Sequence, residues 1–240
     1  MFQLLLVTLM SMIGWVRPTT TPFSHIPGPT TSALPHIPRP CCTHSVFQAV
    51  LGEIGGVYVS NASQAIPIDG WNKLFYDYDR KLMALEAHDR SLGRYQTVNI
   101  VMDFNTKKQY ITDNGRCTIV DIHEEMQHPC VPGSATYLGS SYFGYGEERV
   151  EFVSWEFPTR SSDVMVKLTV SSRNCIPITE AMYGTLRGVK TAVSYSFAEF
   201  QPSIQDYGVF AIPKHCQNKQ TKKTPMARHS IEGIRTFQPN

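Results

Sequence analysis

The sequence predicts an all-β, mainly antiparallel fold, with two curved sheets forming a sandwich or half-barrel. Apolar and polar residues alternate with period two along several runs, which places one row of side chains inside and one in water. Turn-forming clusters separate those runs. No long amphipathic stripe of helical period is present, which argues against a parallel α/β sheet. About nine to eleven strands are expected from this spacing.

The elements follow in order. Val57-Tyr58-Val59 ends a first strand ahead of Asn61-Ala62-Ser63, an N-glycosylation sequon. Lys73–Tyr76 and Leu82–Ala87 flank Asp77-Tyr78-Asp79-Arg80-Lys81, which reads as a hairpin turn. Gln96, Val98, Ile100, Met102 and Phe104 alternate with Tyr95, Thr97, Asn99, Val101 and Asp103. Asn105-Thr106-Lys107-Lys108 then turns the chain toward Tyr110. Asn114-Gly115 carries the sharper turn signal and fits a hairpin or a bulge. Ser134 to Ser141 reads as a short helix. Val150 to Phe157 reads as an apolar strand. Val164, Val166, Leu168 and Val170 alternate with polar neighbours, as do Val193, Tyr195 and Phe197.

The cysteines set the compartment. Five of the six lie in four proline-containing stretches, Pro40-Cys41-Cys42, Pro129-Cys130, Cys175-Ile176-Pro177 and Pro213-Lys214-His215-Cys216. Proline lacks an N–H donor and ends strands. These cysteines therefore mark loops and strand ends. Cys117 sits next to the turn-like Asp113-Asn114-Gly115-Arg116. An even, widely spaced set suits disulfides in an oxidising compartment.

Four segments are expected. Residues 1–16 read as a signal peptide, because the apolar run Leu4–Val16 is too short to span a bilayer. A membrane anchor is the alternative. Residues 17–40 hold seven prolines and form a Pro/Thr-rich spacer. Residues 41–216 form the β domain. Residues 217–240 form a basic tail with Lys219, Lys222, Lys223, Arg228 and Arg235 against Glu232. The chain has 22 Lys and Arg against 20 Asp and Glu, and removing both ends leaves the β domain slightly acidic. A nucleic-acid partner is not expected.

Catalytic and metal motifs fail on inspection. His123-Glu124-Glu125-Met126-Gln127-His128 spaces its histidines five apart, off a single helix face, and Pro129 follows. Gly144-Tyr145-Gly146 lacks the third glycine of a dinucleotide loop and leads into a strand. No enzyme is expected and no cofactor is required. Asp77, Asp79, Glu86 and Asp89 offer oxygen ligands, so calcium is possible, with its ligand set unknown.

An aromatic and aliphatic surplus remains. It either fills an ordinary core or lines a hollow between sheets. Val98, Ile100, Met102, Phe152, Val166, Leu168, Tyr195 and Phe197 are the candidate pocket residues, chosen by alternation.

The ordered set of these features resembles the ependymin-related proteins. The matching pieces are Pro40-Cys41, Tyr76-Asp77 with Leu85-Glu86, and Phe104 ahead of Cys117. Pro129-Cys130-Val131-Pro132 and Val150-Glu151-Phe152 with Trp155 come next. Cys175-Ile176-Pro177 and Val209–Pro213 with Cys216 complete it. The resemblance implies a secreted or lysosomal glycoprotein, glycosylated here at Asn61. It implies two curved sheets around a deep hydrophobic pocket, similar to periplasmic lipoprotein carriers. Homodimers, calcium association and lipid binding without catalysis are implied too. So is the pairing of Cys117 with Cys216 and of Cys41 or Cys42 with Cys175, leaving the other for Cys130.

Two functions follow as expectations. The first is an extracellular glycoprotein that binds a lipid or fatty-acid-like molecule in an internal pocket. The second is a structural or adhesive matrix glycoprotein acting through glycan, calcium and dimerisation, with membrane or matrix contact.

Overall fold

Alternating sequence becomes an eleven-stranded antiparallel sheet. The computed structural model describes residues 37–58, 65–90, 95–159, 163–186 and 189–217. These residues fall within one unit that begins at Ile37. The signal segment, residues 17–36 of the spacer, Asn61 and the tail from residue 218 lie outside the described residues. The strands are β1 (Val46–Tyr58), β2 (Ile66–Asp77), β3 (Leu82–Asp89), β4 (Gln96–Asp103), β5 (Lys108–Asp113) and β6 (Arg116–Asp121). After a long connection come β7 (Thr136–Phe143), β8 (Val150–Pro158), β9 (Asp163–Ser171), β10 (Pro177–Leu186) and β11 (Val189–Gln201).

The strand order is β6-β5-β4-β3-β2-β1-β11-β10-β9-β8-β7. The chain meanders outward from β1 to β6, crosses to the far edge, and meanders back until β11 pairs with β1. Hydrogen bonding is continuous, so the two layers expected from the sequence are two arms of one sheet. Residues 122–135 join the edges β6 and β7. Fully stretched, that connection reaches only about 50 Å, about the width of eleven flat strands at ~4.8 Å spacing. It is not stretched: it buries Ile122, Met126 and Val131 in the same core as Leu51, Ile100 and Trp155. The sheet must therefore curl, and the connection crosses its inner face.

The turns match their residues. Asn114 (φ 47°) and Gly115 (φ 71°) both adopt the left-handed region, which selects the hairpin over the bulge. Tyr78–Lys81 turns β2 into β3, and residues 104–107 turn β4 into β5. The short helix expected over Ser134–Ser141 is instead strand β7. Its residues ladder onto β8, with Tyr137 edge-on to Trp155 at 5.5 Å between ring centroids. Tertiary pairing outweighs weak local preference.

The outer face of the β2–β5 arm is also covered. The segment after β11 packs Ile204 and Phe210 against Ala84 and Val101. It ends at Cys216, bridged to Cys117 on β6. The other bridges join Cys41 to Cys175 and Cys42 to Cys130. Each cysteine of the N-terminal doublet therefore serves a different wall: Cys41 the β9–β10 turn, and Cys42 the edge-to-edge connection.

Candidate hydrophobic cleft

The inner face of the β8–β11 arm and the connection above it bound a cleft. Its floor holds Phe157, Val166, Leu168 and Val170, and Phe47 and Tyr76 from β1 and β2 form one wall. Gln127, His128, Pro129, Cys130 and Val131 form the roof. The Tyr76 hydroxyl donates to the Gln127 carbonyl, which ties roof to sheet. Burial pushes the pKa of that phenol up, so it stays protonated and a donor. The cleft measures about 560 Å³ to its open mouth, of which about 50 Å³ is clear of the walls by a water radius. The larger figure includes open solvent; the smaller is the cavity proper, and it lies below the ~300–1,000 Å³ typical of small-molecule sites.

A polar row crosses this apolar face. Cross-strand register aligns Trp155, Leu168, Glu180, Tyr195 and Glu53 on β8, β9, β10, β11 and β1. Glu53 is 5 % exposed. Its Oε2 accepts from Asn72 Nδ2 at 3.1 Å, and its Oε1 accepts from the Tyr195 hydroxyl at 3.2 Å. Burial pushes the Glu53 carboxyl up to about 7, against the lowering effect of those two bonds. Glu180 is 3 % exposed and lines the cleft. Burial alone pushes its carboxyl up to about 8. Tyr195 is held well above the usual phenol range by burial and by the two carboxyls beside it.

The candidate pocket residues separate into three groups. Val166 and Leu168 line the cleft. Val98, Ile100, Met102 and Tyr195 are buried in the core, and Phe197 packs against that core. Phe152 faces the wrong way: Val153, Trp155 and Phe157 point inward, so Phe152 points outward and stacks on Phe143 at 4.6 Å. A one-residue offset along a strand changes the face. Sequence alternation missed Phe47, Tyr76 and the roof. It also missed Glu180, an acid two residues before the buried Met182 and paired across the ladder with Leu168.

The four acidic residues that offer oxygen ligands in the sequence do not converge on one point. Asp77 and Asp89 stand at opposite ends of the β2–β3 ladder, about 23 Å apart at strand rise. Asp77 accepts from the Arg80 backbone N–H at 2.8 Å, and Asp79 accepts from Ser45 Oγ at 3.1 Å. Glu86 pairs with Lys73 and His88. These residues do not fit a calcium cage. Among the described residues, Cys42, His128 and Cys130 come close enough to suit a metal, but the two sulfurs are joined to each other. His123 to Glu125 are exposed loop residues, and no helix forms there.

A single curled antiparallel sheet, roofed over an apolar cleft and stapled by three disulfides, defines a β-sheet protein with an internal hydrophobic cleft. The chain belongs to the ependymin family, whose model matches residues 93–216. It is 26 % identical over 186 residues to Ependymin-related protein 2 of Haliotis asinina, covering 74 % of this chain and 89 % of that protein. It is 26 % identical over 168 residues to Ependymin-related protein 1 of the same animal, covering 66 % and 84 %. Among solved structures, an uncharacterized conserved protein from Thermus thermophilus aligns with a TM-score of 0.41 and 11 % identity, over 72 % of this chain and 88 % of that one. A LolA superfamily protein from Nitrosomonas europaea aligns with a TM-score of 0.32 and 8 % identity, over 69 % and 90 %.

Proposed function

We propose that this protein is an extracellular carrier that holds a hydrophobic small molecule, a lipid or fatty-acid-like chain, in the roofed cleft. The observation that carries this is the cleft itself: apolar floor and wall side chains, open to solvent, on the concave face of the sheet. Each methylene moved from water into it gains ~0.8 kcal/mol before association costs. Three disulfides support an oxidising compartment. Among the described residues no helix is long and apolar enough to cross a membrane. Raised carboxyls at Glu53 and Glu180 favour an acidic lumen as readily as the extracellular space. No catalytic role enters this reading. The test is mass spectrometry of small molecules extracted from the secreted, glycosylated protein. A stoichiometric lipid, lost on Leu168→Glu, supports the carrier. An empty protein that also refuses a panel of fluorescent lipids removes it.

A second reading, self-association, rests on a different surface. Leu138, Tyr142, Phe143, Tyr145 and Val150 expose apolar area along β7 and its turn into β8. Strand β7 ends the sheet order, and unpaired strand edges invite pairing. This face is the proposed homodimer contact of an adhesive protein.

A further inference from the structure

Buried polar atoms normally have hydrogen-bond partners, and each exception costs free energy. Among the described residues, a few buried side-chain polar atoms lack one. Three of these atoms, Glu180 Oε1, Thr43 Oγ1 and Gln127 Oε1, belong to residues lining the same cleft. Glu180 comes from the sheet, Thr43 from the strand entry beside the Cys41–Cys42 doublet, and Gln127 from the roof. The backbone holds two of them in place. The Thr43 N–H donates to the Pro129 carbonyl at 2.8 Å, and the Gln127 carbonyl accepts from Tyr76.

We infer that Glu180, Thr43 and Gln127 form a polar anchor within the apolar cleft for the hydroxyl or amide of an uncharged lipid. This rests on the cleft being the lipid site proposed above. The charge balance of the wall selects the class. No Lys or Arg stands among the described residues that line the cleft, and its single basic side chain, His128, is exposed. A carboxylate or phosphate head would be buried beside Glu180 without a cation, which is costly. An ammonium head would have to lose its own water and draw the proton from Glu180, whose carboxyl burial alone pushes up to about 8, and both steps are costly. A protonated carboxyl, a hydroxyl and an amide each offer a donor and an acceptor. Their complement is a neutral group that also does both.

A matched twelve-carbon series at neutral pH tests the anchor. Dodecanol, dodecane, dodecanoate and dodecylamine compete against the uncharged probe diphenylhexatriene, with wild type, Glu180→Leu and Thr43→Val. Dodecanol should bind about tenfold tighter than dodecanoate, the worth of one satisfied buried group. Glu180→Leu should reduce the dodecanol affinity about tenfold relative to dodecane. Thr43→Val, which keeps its shape and leaves Glu180 in place, should shift the same ratio in the same direction. Equal or tighter binding of dodecanoate or dodecylamine overturns the proposal. So does an unchanged dodecanol-to-dodecane ratio in both variants. Dodecane bound with no preference for the alcohol sinks the anchor and leaves the hydrophobic cleft standing. Failure of the probe and of every series member sinks both.

Discussion

Tyr195 donates its hydroxyl to Glu53 across the β11–β1 ladder, at 3.2 Å and with both side chains buried. The pair sits at the seam where the returning meander meets the first strand. Tyr195→Phe keeps the ring and removes the donor, leaving one Glu53 oxygen unpaired. The expected cost is on the order of 1–2 kcal/mol in urea unfolding. An unchanged midpoint would mean that the seam is held by apolar packing alone.

The buried carboxyls make stability depend on pH in an uncommon direction. Glu53 and Glu180 ionise near 4.5 when unfolded and near 7 and 8 when folded. Between those limits the folded chain holds more protons than the unfolded chain. Their contribution is therefore fully present below about 4.5 and is lost as pH rises through about 7 and 8. The melting temperature should fall from pH 5 to pH 8.5, and Glu180→Gln should flatten part of that slope. A melting temperature that rises over this range would show that these groups are solvated.

Cys117–Cys216 pins the C-terminal segment across the outer face of β2–β6. The cysteines are 99 residues apart. Cys117→Ser with Cys216→Ser should destabilise by ~4–5 kcal/mol on a chain-entropy model. Proteolysis should then cut first near Ile204–Phe210. Cleavage starting elsewhere would show that the segment docks without its staple.

Two glutamate substitutions separate cleft from core. Leu168 is half-buried on the cleft floor, whereas Ile100 is fully buried. Leu168→Glu should abolish lipid uptake in a folded protein, checked by circular dichroism and probe binding. Ile100→Glu should cost several kcal/mol and unfold the chain. A folded Ile100→Glu protein would mean that the core opens more easily than its packing implies.

Tyr142→Lys with Phe143→Glu should convert a dimer to monomer in analytical ultracentrifugation while leaving lipid uptake intact. A dimer that survives both changes lies on another face.

Much of the strand pattern was legible locally. Alternation along Gln96–Asp103 and Asp163–Ser171 is a property of neighbouring residues, and so is the turn at Asn114-Gly115. The Ser134–Ser141 segment was not legible, because its strand state comes from β8, beyond any local signal. Phe152 failed for a related reason. In the run Val150–Phe157 apolar residues occupy both faces, so only the ladder decides which row turns inward.

By itself the sequence determined the β class, an even cysteine set suited to disulfides and the absence of a recognisable catalytic motif. These rest on short-range patterns and on side-chain chemistry. Only the tertiary structure decided that the two layers are one sheet and which cysteine of the doublet pairs with which mate. It alone brought Phe47, Tyr76, Gln127 and Glu180 to one cleft. Those residues are up to 133 positions apart in the chain. Their meeting depends on how a long sheet curls around a connection that folds into its core instead of stretching from edge to edge, and no local pattern encodes that closure.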